Sequence, residues 1–358
     1  MLNIFLTSIN AVLPIVLLIL LGYILRRVNF LNDNFVSVGN KLVFNVCLPC
    51  MLFINIYNID DLSSVDWSLV IYAIVAVFVI FGLGLAVSIL TTKDNRRRGV
   101  ILQCCYRSNF AIIGISLAAS LAGTAAGAED IVNGVVAIIQ AFTIPIFNIL
   151  AVVSLSIFVK PEAQLDENGM LVSPANKHAD VKKILLNIVK NPLIIGIVAG
   201  LIFVGLRYAE IALWGSAVFT IKNNLTFLYD CFDNLKSVAT PLALIVLGGQ
   251  FKFSAVRGMT KEIVVGTVFR VVIAPLLGVG CAVLLSEFTP LLNFGQTEYP
   301  ALIALFGTPV AVSSAIMAEE MNNDAQLAGQ LVVWTSISSV LTVFLTVFAL
   351  MSAGLLAV

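Results

Sequence analysis

Stretches of 18 or more mostly apolar residues recur from one end of this chain to the other, each long enough to cross about 30 Å of hydrocarbon. Nothing else in the sequence narrows the fold so far. Inside a bilayer each backbone N–H and C=O must find a partner within the protein, and unbroken apolar runs of this length do so as helices. Hydrophobic residues make up 60% of the 358 positions and charged ones 11%, less than half the share usual in soluble domains. The chain is therefore expected to be an all-α integral membrane protein with no separate soluble domain. Its formal net charge is zero, so nothing points to nucleic acid as a partner.

The first apolar run has no lysine or arginine ahead of it, ends in Arg26 and Arg27, and lacks a small-residue cleavage site. It reads as a retained span rather than a removed signal. Two of the six cysteines form the spacing Cys47, Leu48, Pro49, Cys50. No βαβ pattern surrounds them, so buried thiols on a helix are expected rather than a redox motif. The one histidine, His178, lies in a polar loop and makes neither a metal site nor a catalytic dyad. No cofactor, metal ligand or catalytic residue is expected.

Ten spans are predicted, at roughly 8–27, 36–57, 67–91, 98–122, 131–159, 181–206, 224–250, 261–286, 299–320 and 326–353. The polar segment 160–180, KPEAQLDENGMLVSPANKHAD, divides the chain into a first five-helix repeat (1–159) and a second (181–358). Lysine and arginine crowd the loops after spans 1, 3, 5 and 7, including Arg26, Arg27, Lys93, Arg96, Arg97, Arg98, Lys160, Lys252 and Arg257. The opposite loops carry acids such as Asp60, Asp61, Asp66, Glu129 and Asp130. The positive-inside rule then makes 160–180 cytoplasmic and puts both termini outside. The loop 319–324, EEMNND, is acidic yet cytoplasmic on this count; acids weigh little in the rule.

The two halves share landmarks at a nearly constant offset. Pro49 and Pro241 lie 192 residues apart, Gly114 and Gly307 lie 193 apart, and Asp130 and Asp324 lie 194 apart. Residues 208–221, read as an amphipathic segment at the outer surface, break the offset for the first spans. Five spans per half invert the second half relative to the first. Inverted repeats typify secondary transporters, whose sites form near the midplane between broken helices.

Spans 4 and 9 are the candidates for breakage. Arg107 lies ten residues beyond Arg97, or about 15 Å deep at 1.5 Å per residue. An ionised arginine there costs at least about 2.5–3.5 kcal/mol without a partner or a watery cavity. Asn109 adds an amide, Gly114 lets the backbone leave the helix, and Ser116 can bond freed carbonyls. In span 9, Pro309 lacks an N–H and disfavours helix at Thr308, with Gly307 just before it. The half-helix after Pro309, entered through Val310 and reaching Ser313 and Ser314, would offer free N–H groups and a positive dipole end. The candidate substrate-binding set is Arg107, Asn109, Gly114, Gln140, Gly307, Thr308, Pro309, Val310 and Ser313. Plainer readings stay open: Arg107 or Arg270 can pair with carbonyls and serve packing, a proline kink can be structural, and Gln140 can simply link helices. No acid falls at the centre of a span, which disfavours a proton relay or sodium site there and suits an anionic substrate.

Four stretches, Asn40–Phe53 (NKLVFNVCLPCMLF), Arg107–Ala118 (RSNFAIIGISLA), Thr240–Gly249 (TPLALIVLGG) and Gly307–Asp324 (GTPVAVSSAIMAEEMNND), resemble the auxin efflux carrier family, which includes plant auxin exporters and bacterial malate or malonate permeases. The resemblance implies ten helices as two inverted five-helix repeats, with helices 4 and 9 broken and crossing. It implies a dimerising scaffold of spans 1, 2, 6 and 7 beside a moving transport domain, and a homodimer through helices 2 and 7. It implies that Asn109 holds a substrate carboxylate, that Gln140 lies near the same pocket, and that Pro309 marks the break of span 9. Ser116 stands where many relatives have proline. The short 160–180 loop suits a bacterial-type permease. The expected function is a plasma-membrane carrier of small organic anions working by elevator-like alternating access, with H+ or Na+ as an open choice of coupling ion. A bile-acid/sodium symporter-type carrier and a non-transporting sensor are the alternatives; an enzyme is not expected.

Overall fold

The computed structural model describes residues 2–58, 66–122, 128–158, 164–165, 171–172, 186, 189–289 and 292–356. Most of the 160–180 loop, with His178, lies outside them, as do the side chains of Ser116 and Asp130. The fold is helical apart from one two-residue antiparallel ladder, Gln164–Leu165 with Leu171–Val172. In chain order the helices are α1 (Leu2–Arg27), α2 (Asp33–Tyr57), α3 (Trp67–Thr91), α4 (Asn95–Tyr106), α5 (Ile115–Ser120), α6 (Ala128–Ser156), α7 (Pro192–Trp214), α8 (Ile221–Asn224), α9 (Thr226–Gln250), α10 (Thr260–Phe288), α11 (Glu298–Gly307), α12 (Ser313–Glu320) and α13 (Ala325–Ser352). Among the described residues seven helices are long and apolar enough to cross a membrane: α2, α3, α6, α7, α9, α10 and α13.

Side-chain chemistry fixes where several of these helices start. Asn32, Asp66, Asp94, Asn191 and Asp324 each accept a hydrogen bond from an N–H in the first turn of α2, α3, α4, α7 and α13. These caps satisfy donors that have no intrahelical acceptor. The expected surface segment 208–221 divides instead: α7 continues to Trp214, and Gly215, at φ 76°, stops it in the left-handed conformation that glycine adopts without strain. In α10, Pro275 cannot donate to the helix ladder, and π turns flank it at Phe269–Ile273 and Leu276–Gly280.

Polarity is distributed for a lipid surround. Large apolar side chains such as Ile71, Val75, Phe78 and Leu83 face outward along α3, while Asn40, Gln103, Arg107, Asn109, Asn148 and Arg270 are buried. The second and ninth predicted spans contrast. Span 2 is one helix, with a π turn at Val43–Cys47; both its cysteines are free thiols, Cys47 buried as expected and Cys50 only half-buried. Spans 4 and 9 are each two short helices, α4 with α5 and α11 with α12, and none of the four is long enough to cross alone.

Two seams are closed backbone to backbone. α1 meets α9 where Gly22 faces Ile245 and Gly248 faces Ile19; a Cβ on Gly248 would fall 2.0 Å from the Ile19 carbonyl oxygen. α2 meets α7 the same way, with Gly196 against the Pro49 carbonyl. Gly248→Val should therefore force the first seam apart. Overpacking of this kind costs typically about 1–3 kcal/mol, and thermal unfolding in detergent should register it as a clear fall in melting temperature, whereas Gly205→Val, at a glycine with open space around it, should leave it unchanged.

Candidate functional site

The two interrupted helices cross at their breaks. α4 ends at Tyr106, and Arg107 turns extended (φ −84°, ψ 103°). α11 ends at Gly307, and Thr308 turns extended (φ −70°, ψ 153°), the conformation that a following proline imposes. The two extended joints then pair. Ser108 and Val310 form an antiparallel bridge, in which the Asn109 N–H donates to the Pro309 carbonyl at 2.7 Å and the Ala311 N–H to the Arg107 carbonyl at 3.3 Å. The Val310 N–H, left over, donates to the Thr335 hydroxyl of α13 at 3.2 Å. Each break thus satisfies backbone groups that the other frees, which a low-dielectric interior requires.

The break in span 4 falls at Arg107–Asn109 rather than at Gly114. Gly114 is helical (φ −60°, ψ −42°) and closes a π turn over Phe110–Gly114, whose start is held by the Asn109 carbonyl accepting from Ile113 at 3.0 Å. Its missing side chain lets the Phe110 ring and the Ala304 carbonyl approach. Gln140, on α6, donates to the Phe110 carbonyl at 3.0 Å, bracing the same turn from behind.

The two deep arginines have different surroundings. Arg270, fully buried in a π turn of α10, donates to five carbonyls: Cys105 and Tyr106 at the end of α4, Leu305 and Phe306 at the end of α11, and Thr308 in the second joint. Each helix C-terminus carries roughly half a negative charge, so two such ends balance one guanidinium. Arg270 is a clasp on the crossover and has no share in the cavity beside it. Arg107, 3% exposed, lies on the other side. Its Nη2 donates to Asn148 Oδ1 at 2.9 Å and Ser313 Oγ at 3.0 Å, and Nη1 points at the Met317 sulfur. None of these partners carries charge.

Arg107, Asn109 and Ser313 line one narrow cavity together with Ser108, Asn148 and Thr240, and α2 supplies its apolar wall through Leu48, Met51 and Leu52. About 50 Å³ of it is open to the centres of water molecules, room for a few waters. No acid lines it. Asn109 Nδ2, Ser108 Oγ and Ser314 Oγ are buried without a hydrogen-bond partner among the described residues. The starts of the Phe110 turn and of α12 also border the cavity through Ala111, Val312 and Ser313, bringing the positive ends of two helix dipoles; in α12 the Ser314 and Ala315 N–H groups already donate to the Ala311 and Val312 carbonyls. A cation, two positive helix ends and an idle amide donor around one void favour an anion.

Of the predicted set, Arg107, Asn109 and Ser313 meet at the cavity. Thr308, Pro309 and Val310 build the crossing behind it, while Gly114, Gly307 and Gln140 support that crossing without lining the void. Asn148 and Thr240 were not foreseen. A lone asparagine in α6 carries no distinguishing pattern, Thr240 stood out only as the start of the stretch Thr240–Gly249, and only the fold brings them to Arg107.

The contrast between the arginines is measurable. Arg270→Met should strip both helix ends of their donor and lower stability by at least about 3 kcal/mol, the scale for breaking a buried charged network. Arg107→Met, which removes an unpaired buried cation, should leave the melting temperature of the purified protein unchanged or raised.

Known proteins agree with a transport role. The model of the membrane transport protein family matches residues 7–347. An uncharacterised transporter of Methanothermobacter thermautotrophicus is 24% identical over 346 residues, covering 95% of this chain and 97% of that protein. With a family match over nearly its whole length and several helices built for a bilayer, this chain belongs to the membrane transport protein family of auxin efflux carriers.

Proposed function

We propose that the protein is a plasma-membrane permease for small organic anions, and that its cargo binds at the crossover. The observation that carries this reading is the convergence of Arg107, Asn109 and two helix starts on a cavity that no acid lines among the described residues. A carboxylate is the simplest guest: it accepts from the Asn109 amide and from free backbone N–H groups, and it neutralises Arg107 through charge-assisted hydrogen bonds. A bacterial-type dicarboxylate permease, the malate or malonate kind, suits a cavity with a full cation and two partial ones.

In this reading α4 with α5 and α11 with α12 each make one crossing, giving ten in two inverted repeats with both termini outside. The reciprocal seams support the symmetry, since span 1 packs on span 7 as span 6 packs on span 2. Spans 1, 2, 6 and 7 form a scaffold. The exposed stripe Phe35, Val38, Leu42 and Val46 on α2, at helical spacing, suits pairing of two copies through helices 2 and 7. The remaining spans carry the cargo past the scaffold in an elevator-like step, with H+ or Na+ as the candidate coupling ions.

A thermal-shift screen of organic acids on purified protein should find stabilisation by small dicarboxylates. Asn109→Ala should keep the unliganded melting temperature, lose that stabilisation, and abolish flux of the bound acid into proteoliposomes. Flux at the wild-type rate would remove Asn109 from the site.

A further inference from the structure

The two buried arginines differ in what balances them. Arg270 meets the carbonyl ends of two helices. Arg107 meets only the neutral groups of Asn148, Ser313 and Met317. Ion pairs among the described residues involve Arg26, Arg97 and Lys236 with Asp33, Glu262, Asp324 and Asp233, all away from the cavity. The lining that α2, α7 and α9 supply is Leu48, Met51, Leu52, Leu193 and Ala243, with the uncharged Thr240 as its one polar side chain.

An empty site would have to slide a cation past this wall with its few waters stripped away, and an unpaired charge in such surroundings is strongly disfavoured. A proton cannot relieve the problem by leaving, because a guanidinium stays charged; a carboxylate at the same place could be discharged by taking one up. An anion in the cavity removes the penalty by pairing with the cation at close range. The loaded site can cross and the empty site cannot. We infer that the protein is an obligate exchanger, in which each organic anion carried one way must be matched by another carried back. This rests on the crossover being the cargo site, and it goes further by fixing the mode of transport.

The test uses full-length protein in proteoliposomes loaded with radiolabelled malate. Efflux into a medium whose only anion is a bulky buffer sulfonate, too large for the cavity, is compared with efflux into the same medium containing malate. External malate should accelerate release at least tenfold. Equal release into both media would overturn obligate exchange and leave the permease reading standing. No release in either medium, together with no thermal shift by malate or other dicarboxylates, would overturn the cargo site and with it the exchange. Two variants separate the cause. Arg107→Gln should bring release into the sulfonate medium close to its own exchange rate. Met51→Gln leaves the cation and offers it a second polar group on the wall beside Thr240, and it should raise the ratio of release into the sulfonate medium to exchange several-fold. If both variants keep the wild-type ratio of exchange to net release, Arg107 is not the barrier and the inference fails.

Discussion

One guanidinium holds the centre of this molecule together. The ends of α4 and α11 meet in the middle of an apolar protein, and each brings carbonyls that no helix turn can satisfy. Arg270 reaches both and joins them to the joint at Thr308. The backbone bridge between Ser108 and Val310 pairs two more N–H and C=O groups, and the Thr335 hydroxyl takes the Val310 N–H. Without these two devices the breaks would be unsatisfied polar groups in a low-dielectric interior, which folded proteins avoid.

The same arrangement sorts charge. Carbonyl ends gather on the Arg270 side and N–H ends on the Arg107 side, so the crossing acts as a short dipole with a cavity at its positive face. Arg270 is consumed by the structure, whereas Arg107 is held by neutral side chains that only orient it. Asn148 shows this well: its own Nδ2 is fixed to the Ile144 carbonyl at 2.9 Å, which turns Oδ1 toward the guanidinium. Two arginines of similar depth in the sequence thus differ completely in availability.

Much of this was legible in the residues. Run length gave the helices, Pro309 gave the break in span 9, and the Arg107–Asn109 polar triplet marked the right part of span 4. The exact joint in span 4 was not readable, because no proline sits there. Its extended backbone is imposed by pairing with Pro309 and Ala311, two hundred or more positions away, and Gly114 drew attention for a packing reason. The roles of Arg107 and Arg270 could not be separated in sequence either, since both are lone cations in apolar runs. Distance to helix ends decides between them, and that is a property of the fold.

The glycine seam between α1 and α9 has a mechanical consequence. Where side chains interlock, they can change rotamer and let two helices creep past each other. Where Gly22 and Gly248 put main chain directly on main chain, there is nothing to reshuffle, and any sliding would drive carbonyl oxygen into carbon. That pair of helices must travel as one rigid piece, so every shape change of the protein has to be taken up along other contacts.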